Sequence, residues 1–139
     1  MTTLVLAVGL GAVAVLVAWV IRTRTGTDAP TQAGWAVPTQ LDRADFTGPE
    51  LPWLVAVFTS STCLSCAGTW KAAQALAAPD VAVQRLDAAA ERPLHERYGI
   101  EAVPCLVLAD AAGTVRASFL GEPTAAELAD AMAALRAGQ

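Results

Sequence analysis

Six consecutive apolar residues, Trp53-Leu-Val-Ala-Val-Phe58, lead through four hydroxyl residues, Thr59 to Thr62, into Cys63-Leu64-Ser65-Cys66. An unbroken apolar run bounded by Pro52 and a Thr/Ser cluster reads as a strand buried on both faces. Residues 66 to 78 hold many alanines and few breakers before Pro79, so they read as a helix, with Gly68 a mild cost. The cysteine pair therefore opens a helix directly after a buried strand. Two cysteines separated by two residues close a small ring only in a tight turn or at a helix start. There, unpaired N–H groups and the helix dipole favour an anionic sulfur on the first cysteine. The chemistry this predicts is thiol–disulfide exchange. Cys63 attacks a disulfide, and Cys66, one turn in and more buried, resolves the mixed disulfide. Half of a zinc site is the rival reading, because the same spacing supplies two metal ligands. A second pair is missing. Cys105 and His95 would have to complete the set, and nothing in the sequence draws them into tetrahedral geometry.

The rest of the C-terminal hundred residues alternates strand and helix. Val81 to Leu86 reads as a second strand, and Glu91 to Tyr98 as a short helix ended by Gly99. Cys105 to Ala109 is a third strand. Asp110 to Gly113 turns into Val115 to Leu120, an antiparallel fourth strand. Thr124-Ala-Ala-Glu127 matches a capping box and opens the last helix, whose apolar stripe is Leu128, Met132 and Leu135. The order predicts an α/β fold, a mixed sheet flanked by helices on both faces. Leu41 to Phe46 is expected to form a helical turn, and Trp35 to Val37 an edge strand. His95 is expected on the solvated face of its short helix, Asp87 in a cap or turn, and Trp53 and Trp70 in packing roles.

The N-terminus has a different character. Thr2 to Ile21 contains no charge. At about 1.5 Å rise per residue such a run spans the hydrocarbon core, so residues 2–21 are expected to form one transmembrane helix. A cleaved signal peptide is the alternative, but no basic residue precedes the run. Residues 22–40 are polar and aperiodic and read as a linker, and 41–139 as the folded domain. Arg22 and Arg24 lie just past the helix, which places the domain on the cytoplasmic side by the positive-inside rule, the extracytoplasmic side being the alternative. Of the 139 residues, 55% are hydrophobic and 16% charged, too apolar for a disordered chain. A net charge of −4 offers no means of neutralising phosphates, which argues against nucleic-acid binding. Three cysteines, an odd number, argue against a disulfide-stapled scaffold.

Residues 50 to 137 resemble the thioredoxin family. The resemblance rests on Val55-Ala-Val-Phe58 ahead of Cys63, on Tyr98-Gly-Ile-Glu-Ala-Val-Pro104, and on Gly121 after the last strand. It implies a thioredoxin-like fold, and together with the uncharged run at residues 2–21 the chain reads as a membrane-anchored thioredoxin-like protein of bacterial type. The resemblance also implies a cis bond at Val103-Pro104 packed against the cysteine pair, which costs only about 0.5–1 kcal/mol over trans. Backbone groups at Val103 would then pair with an extended substrate. No metal or organic cofactor is needed, since the dithiol itself carries two electrons. The implied partners are a protein disulfide or dithiol substrate and a protein that donates or accepts electrons, at or in the membrane.

The departures from the family are specific. Thr62 stands where the family has Trp, Leu64-Ser65 where it has Gly-Pro, and Ala67 where a basic residue is common. Val57 stands where the family buries an aspartate that helps move the proton of the second cysteine. Without it, Cys66 should deprotonate less readily. These losses give weight to a rival reading, an accessory subunit of a membrane complex with idle cysteines. Cys105 follows Pro104 where threonine is common. It reads first as a small buried apolar residue. The sharper readings are a third redox thiol, or a metal site shared with Cys63 and Cys66.

Overall fold

The computed structural model describes residues 34–138. The expected membrane span at 2–21 and linker residues 22–33 lie outside them. Among the described residues no helix is long and apolar enough to cross a membrane.

Strand β1 (Trp53–Thr59) is buried along its whole length, as its unbroken apolar run requires. Its neighbours are β2 (Val81–Asp87), which is parallel, and β3 (Cys105–Ala109), which is antiparallel. β4 (Val115–Leu120) runs antiparallel to β3, giving the order β2-β1-β3-β4. Side chains alternate across a strand, so β1 feeds two cores. Leu54, Ala56 and Phe58 join Leu86, Cys105 and Val107 on one face. Trp53, Val55 and Val57 join Val81, Leu106 and Leu108 on the other. The first face is covered by a 3-10 turn (Arg43–Asp45) with Leu41 and Phe46 beside it, and by α2 (Arg92–Arg97) with Leu94 and Tyr98. The second is covered by α1 (Cys66–Gln74) through Ala73, and by α3 (Ala125–Ala137) through Leu128 and Met132. The mixed sheet with helices on both faces is therefore present. So are the helical turn before Phe46 and the stripe on α3, with Leu135 packed at its border.

The capping box also forms. Thr124 Oγ1 accepts from the Glu127 N–H at 3.2 Å, while the Glu127 carboxylate accepts from the Thr124 N–H at 2.7 Å. The bonds that the carboxylate accepts from the Thr124 N–H and, at 2.9 Å, from the Thr124 hydroxyl hold the Glu127 carboxyl below its usual range.

Three expectations change. α1 ends at Gln74 rather than 78. Beyond it, Leu76 N–H bonds Ala73 O and Ala77 N–H bonds Gln74 O, tighter turns that carry the chain to Pro79. α2 begins one residue late and ends one early. Trp35 to Val37 forms no strand, and Trp35 is 48% exposed. The ring of Pro38 offers no N–H to a ladder. Contact with β4 starts further on, where the Val115 N–H donates to Thr39 O at 3.0 Å, and beside it Gln40 bridges to Thr114 and the Leu41 N–H donates to Gly113 O at 2.8 Å. A Cβ on Gly113, whose φ is +79°, would collide with Leu41 O, so the turn needs glycine.

β4 carries a bulge. Ala109 pairs with Val115 while Leu108 pairs with Ala117. The extra residue, Arg116, reverses the alternation. Val115 consequently faces the Phe58 core, whereas Ala117 and Phe119 face the Val57 core.

Candidate functional site

Three loops meet where β1 ends. Phe58 is paired with Cys105, and Cys105 with Leu120. The loops Ser60–Ser65, Ile100–Pro104 and Gly121–Pro123 therefore leave the sheet side by side. A 3.0 Å bond from the Gly121 N–H to Pro104 O joins the last two. Gly121 has a φ of +96°, in the left-handed region that favours glycine. The Val103–Pro104 bond is cis, in agreement with the resemblance.

Cys63 and Cys66 are joined as a disulfide with Cα atoms 5.5 Å apart. Cys63 sits in a turn closed by its N–H and Ser60 O at 3.3 Å, and its sulfur lies 3.8 Å from the Ser65 hydroxyl. Cys66 is the first residue of α1, not one turn in. Ser65, with helical φ and ψ, is the cap, and its carbonyl accepts from the Thr69 N–H at 3.1 Å. Cys63 is half-buried and Cys66 is only 1% exposed, which is the asymmetry expected of an attacking and a resolving sulfur. Val57 is fully buried on the face that carries α1, so that core presents an isopropyl group where a carboxylate would assist proton movement.

Cys105 is buried, but its side chain belongs to the other face, with Phe58, Ala56 and Leu86. α1, with Cys66 at its start, packs on the opposite face. Burial pushes the Cys105 thiol up to about 12. A thiol so placed stays protonated, which fits the small-apolar reading and disfavours the third-redox-thiol reading. Among the described residues, no three His, Cys, Asp or Glu side chains are grouped to hold a metal, so the three-cysteine site is not assembled.

The expectation for His95 is overturned. It is only 8% exposed, its Nε2 lies 3.0 Å from Leu86 O, and its ring meets Phe58 edge-on with centroids 5.2 Å apart. The last carbonyls of β2 need partners, and the imidazole supplies one. Asp87 makes the expected turn, its carboxylate accepting from the Ala89 N–H at 3.0 Å. Trp53 is buried and Trp70 packs at the border of the Val57 core.

Three features escaped the sequence. Leu64, between the two sulfurs, is 99% exposed. The Glu122 carboxylate lies over Gly68, in the space that a Cβ there would take from it. The signal for that contact was a glycine inside the first turn of a helix. Arg43, only 7% exposed, donates to Leu51 O at 3.0 Å, Asp110 O at 2.9 Å and Gly48 O at 2.9 Å at the far end of the sheet. Burial lowers its pKa, and Asp110 and Glu50 oppose that. Beside it, a cleft of about 550 Å³ is lined by Asp42, Arg97, Tyr98 and Ala112. Burial and the hydrogen bond to Asp45 raise the Tyr98 phenol above its ordinary value.

No family model matches the chain, and no curated protein matches it. Among solved structures, a single-substitution variant of thioredoxin from Halobacterium salinarum aligns at a TM-score of 0.55 and 26% identity, covering 70% of this chain and 91% of that one. A malarial protein aligns at 0.53 and 14% identity, covering 58% and 93%. Oxidised mitochondrial thioredoxin 3 of Saccharomyces cerevisiae aligns at 0.48 and 21% identity, covering 59% and 77%. The described domain has a thioredoxin-like fold, with the Cys63–Cys66 pair at the start of its first helix.

Proposed function

We propose that the chain is a thiol–disulfide oxidoreductase held at a membrane by residues 2–21. The observation that carries the exchange chemistry is the placement of Cys63 and Cys66. The two sulfurs are close enough to bond, one is accessible and one buried, and both stand where β1 gives way to a helix. The similarity to a thioredoxin at 26% identity supports the same reading.

Cys63 is the nucleophile and Cys66 the resolving thiol. As the Cys63 thiolate attacks a client disulfide, one client sulfur bonds to Cys63 and the other leaves as thiolate. The Cys66 thiolate then attacks Cys63, forming the internal disulfide and releasing the second client thiolate. Two electrons pass to the client, and a dithiol partner protein restores the pair. The same steps run in reverse oxidise a client. Val103 and Pro104, on a loop that leaves the same end of the sheet as Cys63, position the client chain. Because Val57 offers no carboxylate, loss of the Cys66 proton limits the resolving step.

The uncharged run from Thr2 to Ile21 supports the anchor, and Arg22 and Arg24 support a cytoplasmic domain. Labelling intact cells with a membrane-impermeant maleimide tests both. Labelling of Cys63 only after lysis is the expected result, and labelling in intact cells reverses the orientation. Recovery of the chain in the soluble fraction overturns the anchor. For the chemistry, the reduced full chain must reduce a disulfide, and Cys63→Ser must abolish the reaction. Equal rates with Cys63→Ser would instead favour the accessory subunit with idle cysteines.

A further inference from the structure

We propose that Leu64 is a specificity element of this exchange reaction, selecting protein disulfides that lie beside an apolar depression bordered by basic side chains. The inference rests on the exchange reading above.

Two large apolar side chains are exposed among the described residues, Trp35 and Leu64, and Leu64 is the more exposed at 99%. It does not sit on a remote surface. Its neighbour in the chain is the attacking residue Cys63, and the turn around it is tied at both ends by the two cysteines. The sulfur of Cys63 must come into bonding contact with a client sulfur. A side chain one residue away then falls inside the client's footprint. A client with a polar or filled surface there would have to shed water onto the isobutyl group without gain. A client with an apolar pocket buries it, and burying one leucine favours that client by roughly tenfold or more.

The charges around the sulfurs define the border of that pocket. The loops Ser60–Ser65, Ile100–Pro104 and Gly121–Pro123 contain Glu101 and Glu122 and no basic residue. Both glutamates are exposed. Glu122 is placed by the missing side chain of Gly68, which lets its carboxylate rest on the first turn of α1. Arg85 on the edge strand β2 also reaches this end of the sheet, where its Nε donates to Thr59 Oγ1 at 3.1 Å, away from the β3 and β4 loops that carry the two glutamates. An apolar knob with acidic neighbours fits an apolar hollow with basic neighbours, and it repels an acidic border.

The test uses the reduced full chain in detergent micelles, with dithiothreitol as the dithiol that restores it. Four disulfides serve as probes. One is hydroxyethyl disulfide, which is small and neutral. The others are peptides of equal length whose disulfide is flanked by leucine and lysine, by leucine and glutamate, or by serine and lysine. The readout is kcat/KM for each peptide divided by the value for hydroxyethyl disulfide, which removes any change in the reactivity of the sulfurs. The leucine–lysine peptide is expected to lead. Leu64→Ser should cut its ratio roughly tenfold, and Leu64→Met should restore most of it. Glu122→Gln should lower its ratio and weaken its dependence on salt. Equal ratios for the three peptides, or a ratio unmoved by Leu64→Ser, overturns the inference while leaving exchange intact. No reaction with hydroxyethyl disulfide sinks the exchange reading, and the inference falls with it.

Discussion

At the end of the sheet where β1 begins, Arg43 gathers the carbonyls of Gly48, Leu51 and Asp110 into one fork, and Leu41 bonds across to Gly113. At the end where β1 stops, the loops around Cys63 meet through the bond from Gly121 to Pro104 and otherwise present Glu101, Glu122 and the bare Leu64 to solvent. One end is cross-linked through a buried charge, and the other is left open. The difference is physical. A reacting sulfur must reach a client and then turn to its partner, and a surface crossed by buried hydrogen bonds does not yield. Fixing the far end lets the fold hold the open loops in register without tying them down.

The comparison can be broken in four ways. The largest effect is expected at the open end. Cys63→Ser should remove exchange entirely, while Cys66→Ser should accumulate a mixed disulfide visible by mass spectrometry; the thermal midpoints of the reduced variants should stay near that of the reduced parent. A large loss of stability in reduced Cys63→Ser would show that this end is structural too.

The second effect belongs to the closed end. Arg43→Met strands three carbonyls, and urea unfolding should register a loss of about 3 kcal/mol. Arg43→Lys should not recover it, because one ammonium cannot match the fork. Exchange by the folded Arg43→Met protein should match the parent, and a changed rate would couple the two ends.

The third prediction concerns Cys105. Its thiol is raised from 9.0 to about 12 by burial, so the folded state holds a proton that the unfolded state releases first. The stability it contributes is complete below about 9 and declines as pH rises toward about 12. Cys105→Ala should flatten that decline in alkaline unfolding curves. In the reduced native protein, iodoacetamide at pH 8 should modify Cys63 and leave Cys105 untouched; equal labelling would place Cys105 with the reactive pair. The smallest effect is at the capping box. Thr124→Ala should cost about 1 kcal/mol in urea unfolding and leave exchange unaltered.

Much of this architecture is legible because it is written locally. The apolar run from Trp53 to Phe58 declares a strand with no solvent face, and Thr124 with Glu127 declares a helix start within four residues. The cysteine spacing needs only the strand before it and the helix after it. What escaped is written at long range. Arg43 finds a carbonyl 67 positions away, at Asp110. His95 turns inward to meet Leu86 O and the ring of Phe58, and a six-residue helix is too short to show which of its faces does so. The bulge at Arg116 reverses a strand's alternation with no glycine to announce it. The exposure of Leu64 was hidden for the opposite reason. An apolar residue in a turn gives no period from which to judge its direction.

The alternation along β3 has a consequence of its own. Cys105 stands one residue after Pro104, at the very rim of the site, yet its sulfur projects through to the far side of the sheet. The sheet therefore stands between that thiol and the body of the helix that starts at Cys66. Shifting β3 by one residue would turn Cys105 onto the face that α1 covers, so the register of an ordinary-looking strand decides which core receives the third sulfur.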